Sequence, residues 1–214
     1  MAMALDQGAK QIIACLEIEE SQFVAARCSP PPLLCGERFC KPIPGFDLGN
    51  SPIDYSRSIV GGRTLVMTTT NGTRAFAAAI SAKSVYAGAF VNLSAVLRAA
   101  SGEGQLIVIC AGTDGQETDE DLLFAGALIA KLADSETELA LDEAATEASD
   151  AWHAFMSTGI SLAERLSQSR GGRNLLQAGF QADIKICAMI DSVASVPKVV
   201  ARQPMTLEDV RLSK

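Results

Sequence analysis

Two stretches of this sequence place polar side chains where an apolar run gives way to a helix-like one, a setting suited to chemistry on a small anion. The first is TLVMTTTNGTRAFAAAI, in which Thr68, Thr69, Thr70, Asn71, Gly72 and Thr73 lead into an alanine-rich segment with Arg74 in its first turn. At such a junction the unpaired backbone N–H groups point outward, the helix dipole adds partial positive charge, and Gly72 lets the backbone approach an anion closely. Threonine hydroxyls add donors, and the planar fork of Arg74 can pair with phosphate, sulfonate or carboxylate. Thr69, Thr70, Asn71, Gly72, Thr73 and Arg74 are therefore candidate anion ligands. The same residues also suit an ordinary strand-to-helix turn, with Asn71 or Thr73 as the cap and Arg74 in solvent.

The second stretch, QLIVICAGTDGQETDEDLLFAGALIA, repeats the arrangement with acids: Asp114 in the loop, then Glu117, Asp119, Glu120 and Asp121 before a buried-looking helix. Carboxylate oxygens on a loop and helix start suit Mg²⁺, a hard cation that combines one or two carboxylates with water and substrate phosphate. A metal bridging this loop to the threonine loop would neutralise an anionic substrate. Thr118-x-x-Asp121 equally fits a capping box, and the two readings can coexist.

Other chemistries lose their residues. His153 is the single histidine, beside Trp152 in a helical stretch, so paired-histidine phosphoryl transfer is excluded and a core or surface role suits it better. No cysteine is followed by arginine six positions later, which removes a cysteinyl-phosphate mechanism. Asp119-Glu120-Asp121 resembles an aspartyl-phosphate motif only superficially, since it sits at a helix start without the later threonine. There is no G-x-x-x-x-G-K-[ST], and no G-x-G-x-x-G follows a strand, so nucleotide binding has no support.

The elements that must hold these loops alternate. Short apolar runs at Gln11–Cys15, Thr64–Thr68, Ser84–Gly88 and Gln105–Cys110 read as strands, each followed by polar or glycine residues and a helix-like segment. TLVMT and LIVIC are apolar on both faces, which predicts an α/β fold: a three-layer α/β/α sandwich with a mainly parallel or mixed sheet. Both candidate loops then lie at the carboxyl ends of strands, where open α/β sheets place their sites. The stretch from Pro30 to Gly62, with PPP, PIPG, GNSP and VGG, reads as loop-rich, and Asp47, Asn50, Ser51 and Tyr55 crowd within it as in a functional loop. Ser135 to Gly159 reads as helical, and Gly171 to Asp191 as a helical pair broken at Ala178–Gly179. Residues 1–200 read as a single domain and 201–214 as a mobile tail.

Composition narrows the class. A 214-residue chain with 48% hydrophobic and 20% charged residues is globular rather than disordered. The net charge of −7, with Asp134, Glu136, Glu138, Asp142, Glu143, Glu147 and Asp150 close together, disfavours nucleic acid as a partner. The six cysteines form no C-x-x-C pair, and MAMALDQGAKQ has no secretory character, so reduced thiols and a cytoplasmic location are expected. Leu122 to Ala130, the longest apolar stretch, is about half of a bilayer crossing, so no membrane partner is expected. A homo-oligomer is expected only on the general frequency of soluble oligomers.

Four blocks carry a resemblance: GERFCKPIPGFDLGNSPIDY (Gly36–Tyr55), TTTNGTRAF (Thr68–Phe76), CAGTDG with the following ED pair (Cys110–Asp121), and GRNLLQAGFQADIKICAMID (Gly172–Asp191). In this order they resemble the 2-phosphosulfolactate phosphatase family, across most of Gly36 to about Val200. The resemblance implies a step of coenzyme M biosynthesis, in which Mg²⁺-dependent hydrolysis of a phosphate monoester on a small sulfonated hydroxy acid gives sulfolactate and phosphate. Physical role within such a site places Thr69, Thr70, Asn71, Gly72, Thr73 and Arg74 on the phosphate, Asn50 and Ser51 facing substrate, Glu37, Glu120 and Asp121 near Mg²⁺, and Arg74 with Asp121 as the catalytic residues, roles that the resemblance alone does not establish. The resemblance also implies an N-terminal strand with an Asp-x-x-Arg-Ala-type motif before ALDQGAKQIIACLEIEE, so this chain reads as N-terminally truncated. A truncated, non-catalytic anion-binding or interaction protein is the alternative expectation.

Overall fold

The computed structural model describes residues 1–113, 115–134 and 139–212. The chain divides into two compact units, residues 1–88 with 192–214, and residues 89–191.

The first unit is built on a six-stranded mixed sheet. Its strands are β1 (Gln11–Ala14), β2 (Leu33–Arg38), β3 (Lys41–Pro42), β4 (Thr64–Thr68), β5 (Pro197–Arg202) and β6 (Met205–Asp209), in the order β3-β2-β4-β1-β6-β5. β1, β4 and β2 run parallel, and the outer strands join them antiparallel. Helices α1 (Ala2–Asp6), α2 (Ile18–Ala25), α3 (Arg57–Val60) and α4 (Gly72–Ala79) complete the unit. Alternation along the parallel strands explains why TLVMT is apolar throughout. Leu65 and Met67 of β4 face one cluster with Ile12, Leu207, Val60 and, from α1, Ala4 and Leu5. Val66 faces the opposite cluster with Ile13, Cys15 and, from α2, Val24 and Ala25. Helices on both faces of the sheet make the expected α/β sandwich, with Phe76 of α4 against the first cluster.

Four sequence expectations are corrected. The stretch from Pro30 to Gly62 is not merely loop: it supplies β2, an interior strand, whose apolar run is short because Gly36 interrupts it. Residues from Ala201 to Leu212, expected as a mobile tail, belong to the sheet and a terminal turn, with β6 paired to β1 through Ile12 and Leu207. MTLED betrays this weakly, because its inward side rests on Leu207, which is fully buried. Ser84–Gly88 contributes only one bridge, Tyr86 to Lys198. Gln105–Cys110 forms no strand, and Ile107 is 77% exposed. Propensity marks an apolar run as suited to a sheet, but a ladder also needs a partner strand, and among the described residues these backbones find none beyond that single bridge.

The second unit is helical among its described residues: α5 (Leu93–Ala99), α6 (Asp119–Ala133), α7 (Glu143–Ser157), α8 (Leu162–Gln168), α9 (Arg170–Gln177) and α10 (Gln181–Cys187). α6 and α7 pack tightly at Gly126, where a Cβ would overlap the Ala148 carbonyl oxygen and stand 2.7 Å from Trp152 Cβ. The break predicted at Ala178–Gly179 falls between α9 and α10, with Gly179 at φ +86°. His153 is a surface residue of α7 whose Nδ1 donates to the Ser149 carbonyl at 2.8 Å. Of the acidic group, Asp142 caps α7 by accepting the Ala145 N–H at 2.8 Å, and Glu136 and Glu138 lie outside the described residues.

Candidate functional site

The threonine loop emerges from the carboxyl end of β4 and enters α4. Thr68 is fully buried, and its hydroxyl donates to the Leu16 carbonyl at 3.1 Å, tying the end of β4 to the end of β1. Asn71 holds the N-cap position without a side-chain bond, and Thr69 supplies the side-chain acceptor instead: its Oγ1 accepts the Thr73 N–H at 3.3 Å. The buried Thr73 hydroxyl returns to the Thr69 carbonyl at 2.9 Å. Thr70 lies between them with its Oγ1 buried and without a hydrogen-bond partner in the structure. A hydroxyl in that state costs free energy unless something else engages it. Arg74, in the first turn of α4, is exposed, and no hydrogen bond or ion pair of its guanidinium is present among the described residues.

β2 shapes this loop from the neighbouring strand. Gly36, at φ +154°, lets β2 approach so closely that a Cβ would overlap the Thr68 carbonyl oxygen. Glu37, 8% exposed, then turns its carboxylate into two backbone donors: Oε1 accepts from Thr70 N at 2.8 Å and Oε2 from Cys40 N at 3.1 Å. Phe39 and Cys40, both at positive φ, form the β2–β3 turn that brings the second donor round. Arg38 closes the group, with Nη2 donating to Thr68 Oγ1 at 3.0 Å. Glu37 and the threonine loop thus come together, 33 residues apart in sequence. Sequence reading missed Arg38; its signal was a cation beside Glu37 in the GERFC block.

The loop containing Asn50 and Ser51 is pinned to the same sheet. Asp47 Oδ2 accepts the Leu34 N–H at 2.8 Å, and Tyr55 Oη donates to the Gly49 carbonyl at 2.6 Å. Burial raises the Tyr55 phenol above its ordinary range, so it stays a neutral donor. Asn50 is exposed, and Ser51 is buried just before the turn Pro52–Asp54.

In the second unit the acidic loop has its own geometry. Asp121 Oδ2 accepts the Gly112 N–H at 2.7 Å and the Thr118 hydroxyl at 3.2 Å, so it clasps the Gly112 turn to the start of α6 instead of closing a reciprocal capping box. Glu120 Oε1 accepts the Gly171 N–H at 3.1 Å in the first turn of α9, while its buried Oε2 has no partner among the described residues. Gly171 leaves room for that carboxylate, since a Cβ there would displace Glu120 Oε1. Asp119 pairs with Arg165 at 3.0 Å. Asp114 lies outside the described residues.

Among the described residues no group of three or more His, Cys, Asp or Glu side chains is gathered as a metal site. The cysteines are free, and burial pushes the Cys15 and Cys35 thiols up to about 12, so neither is a nucleophile at neutral pH. No helix is long and apolar enough to cross a membrane among the described residues. The first unit brings together the start of α4, the unengaged Thr70 hydroxyl, Arg38 and Arg74, with the Thr70 and Thr73 N–H groups already taken by Glu37 and Thr69.

Comparison with known proteins gives a consistent result. The family model described as 2-phosphosulpholactate phosphatase matches residues 1–202. A Thermotoga petrophila protein named "Probable 2-phosphosulfolactate phosphatase" is 33% identical over 197 residues, covering 92% of this chain and 82% of the relative. Proteins of the same name from Caldanaerobacter subterraneus subsp. tengcongensis and Symbiobacterium thermophilum are 36% and 35% identical, over 92% and 96% of this chain and 80% and 88% of theirs.

Proposed function

This chain belongs to the 2-phosphosulfolactate phosphatase family, and on that premise we propose that it is a phosphoric monoester hydrolase that releases phosphate from 2-phosphosulfolactate. The observation that carries the phosphate site is the buried Thr70 Oγ1, without a partner among the described residues, in a loop whose backbone is pinned by Glu37. A phosphoryl oxygen is the acceptor that hydroxyl lacks, and the start of α4 adds the N–H groups and dipole that favour an anion.

In this reading the Thr70 hydroxyl and the backbone of Asn71 and Gly72 bind the phosphoryl oxygens, the Thr70 and Thr73 N–H groups being already engaged by Glu37 and Thr69, and Arg74 supplies a charge-assisted pair as negative charge spreads over them in the transition state. Glu37 holds the loop in place. Asn50 and Ser51 face the remainder of the substrate. Magnesium, when bound, supplies phosphoryl polarisation and an activated water. Within the second unit Glu120 fits a magnesium ligand, since its buried Oε2 has no partner among the described residues, whereas the Oδ2 of Asp121, and in the first unit both oxygens of Glu37, already accept backbone N–H groups. In this account Glu120 is the candidate ligand, and Glu37 and Asp121 each order their own loop. Work in the cytoplasm and within coenzyme M biosynthesis belongs to the same reading and rests on the family assignment.

The experiment is phosphate release from 2-phosphosulfolactate by the purified chain, with Mg²⁺ and with EDTA. Turnover that EDTA abolishes and Mg²⁺ restores is expected. Phosphate and sulfolactate binding without release in either condition would replace this reading with a non-catalytic, anion-binding one.

A further inference from the structure

Arg38 ends β2 and reaches across the carboxyl ends of the parallel strands. Its Nη1 donates to the Glu37 carbonyl at 2.8 Å, and its Nη2 donates to the Leu16 carbonyl at 3.2 Å and to Thr68 Oγ1 at 3.0 Å. These bonds fix the plane of the guanidinium, yet every acceptor is a neutral oxygen. No carboxylate pairs with Arg38 among the described residues. The acids beside it in the fold face backbone donors instead: Glu37 takes the N–H groups of Thr70 and Cys40, and Glu20 Oε2 takes that of Leu16 at 2.7 Å.

A partly buried guanidinium without a counter-ion is unfavourable, and more conspicuous in a chain of net charge −7. Three N–H donors are committed, leaving two of the five that the guanidinium carries. Arg38 grips Thr68, two residues before Thr70, a separation of roughly 7 Å along a strand. One small molecule can therefore meet Arg38 and the threonine loop together.

We propose that Arg38 is a substrate-binding residue that takes an acid group of the substrate other than its phosphate, leaving the phosphate to the Thr69–Arg74 loop. The identity of the ligand rests on the phosphatase reading above. The substrate class is then a phosphate monoester bearing a second strong acid, and a monoester without one loses the Arg38 contact.

The test is calorimetric titration of sulfolactate, and separately of inorganic phosphate, into the whole wild-type chain, Arg38→Met and Arg38→Lys, with thermal unfolding of each. Arg38→Met should weaken sulfolactate roughly 10- to 100-fold, the loss expected for a charge-assisted pair, and phosphate by less than about 3-fold. Arg38→Lys should recover part of the affinity, because it keeps the charge without the fork. In turnover the methionine variant should raise KM with little change in kcat. Wild-type affinity for sulfolactate in a folded Arg38→Met, equal loss of both ligands, or no sulfolactate binding by the wild type would each overturn the proposal. If Arg38→Met does not fold, undiminished sulfolactate affinity in Arg38→Lys overturns it. Arg38-dependent sulfolactate binding without phosphate release would sink the hydrolase reading alone, whereas turnover insensitive to Arg38 would sink this one alone.

Discussion

The carboxylate of Glu37 accepts the backbone N–H of Thr70 at 2.8 Å, so β2 sets the shape of the loop that follows β4. Its other oxygen does the same for Cys40 at 3.1 Å. Replacing Glu37 by alanine leaves two sheltered N–H groups without acceptors, at about 1–3 kcal/mol each. Glu37→Ala should unfold at a lower denaturant midpoint and lose at least about tenfold in turnover, while Glu37→Gln, which retains one acceptor, should fall between. Equilibrium unfolding alongside phosphate release checks both halves.

Gly36 permits the approach on which that contact depends. Gly36→Ala adds a methyl where the Thr68 carbonyl already stands, at a φ of +154° that an L side chain resists. The carbonyl belongs to an interior strand and cannot swing away. A destabilisation of at least about 1–3 kcal/mol is expected, read as a lower denaturant midpoint with an unchanged slope.

Both relationships show where the sequence was legible. TLVMT announces a strand sheathed on both faces, and Gly72 with the alanines announces the helix start, because those signals are local. The Glu37 contact is not local, and nothing in GERFC states that its carboxylate meets a backbone 33 residues later. β6 was hidden because two of its three buried residues, Thr206 and Asp209, are polar and only Leu207 is apolar, whereas Gln105–Cys110 has the composition of a strand and no ladder among the described residues. The acidic loop was legible as a loop and helix start. The division of labour, with Asp121 clasping Gly112 and Glu120 meeting α9, depends on tertiary contacts.

In the second unit, Gly126→Ala should separate α6 from α7. The added methyl meets the Ala148 carbonyl and Trp152 Cβ, both on helix backbone or at its root. Overpacking of this kind costs about 1–3 kcal/mol. A blue- or red-shifted fluorescence from Trp152, the single tryptophan, should accompany the lower midpoint.

Asp209 supplies a pH dependence. Burial works against its ionisation, but hydrogen bonds from Arg211 and Ser195 and from the Val196 N–H outweigh it and hold the carboxyl below its ordinary value. A depressed folded value means that the stabilisation is complete above the unfolded pKa, near 3.8, and is lost as pH falls through it towards the folded one. Thermal unfolding between neutral pH and about 3 should therefore show a decline in the acid range that Asp209→Asn flattens. The variant should also be less stable at neutral pH, since Arg211 loses the nearer of its two carboxylate partners and keeps only Asp6.

The most direct measurement is phosphate release and phosphate binding by Thr70→Val, which removes the buried hydroxyl while keeping its shape. The account predicts turnover and phosphate affinity reduced by about tenfold or more, with stability unchanged or raised, because no native hydrogen bond is lost. Wild-type turnover and phosphate affinity in a folded Thr70→Val would contradict it, and the phosphate site at the start of α4 would lose its principal support.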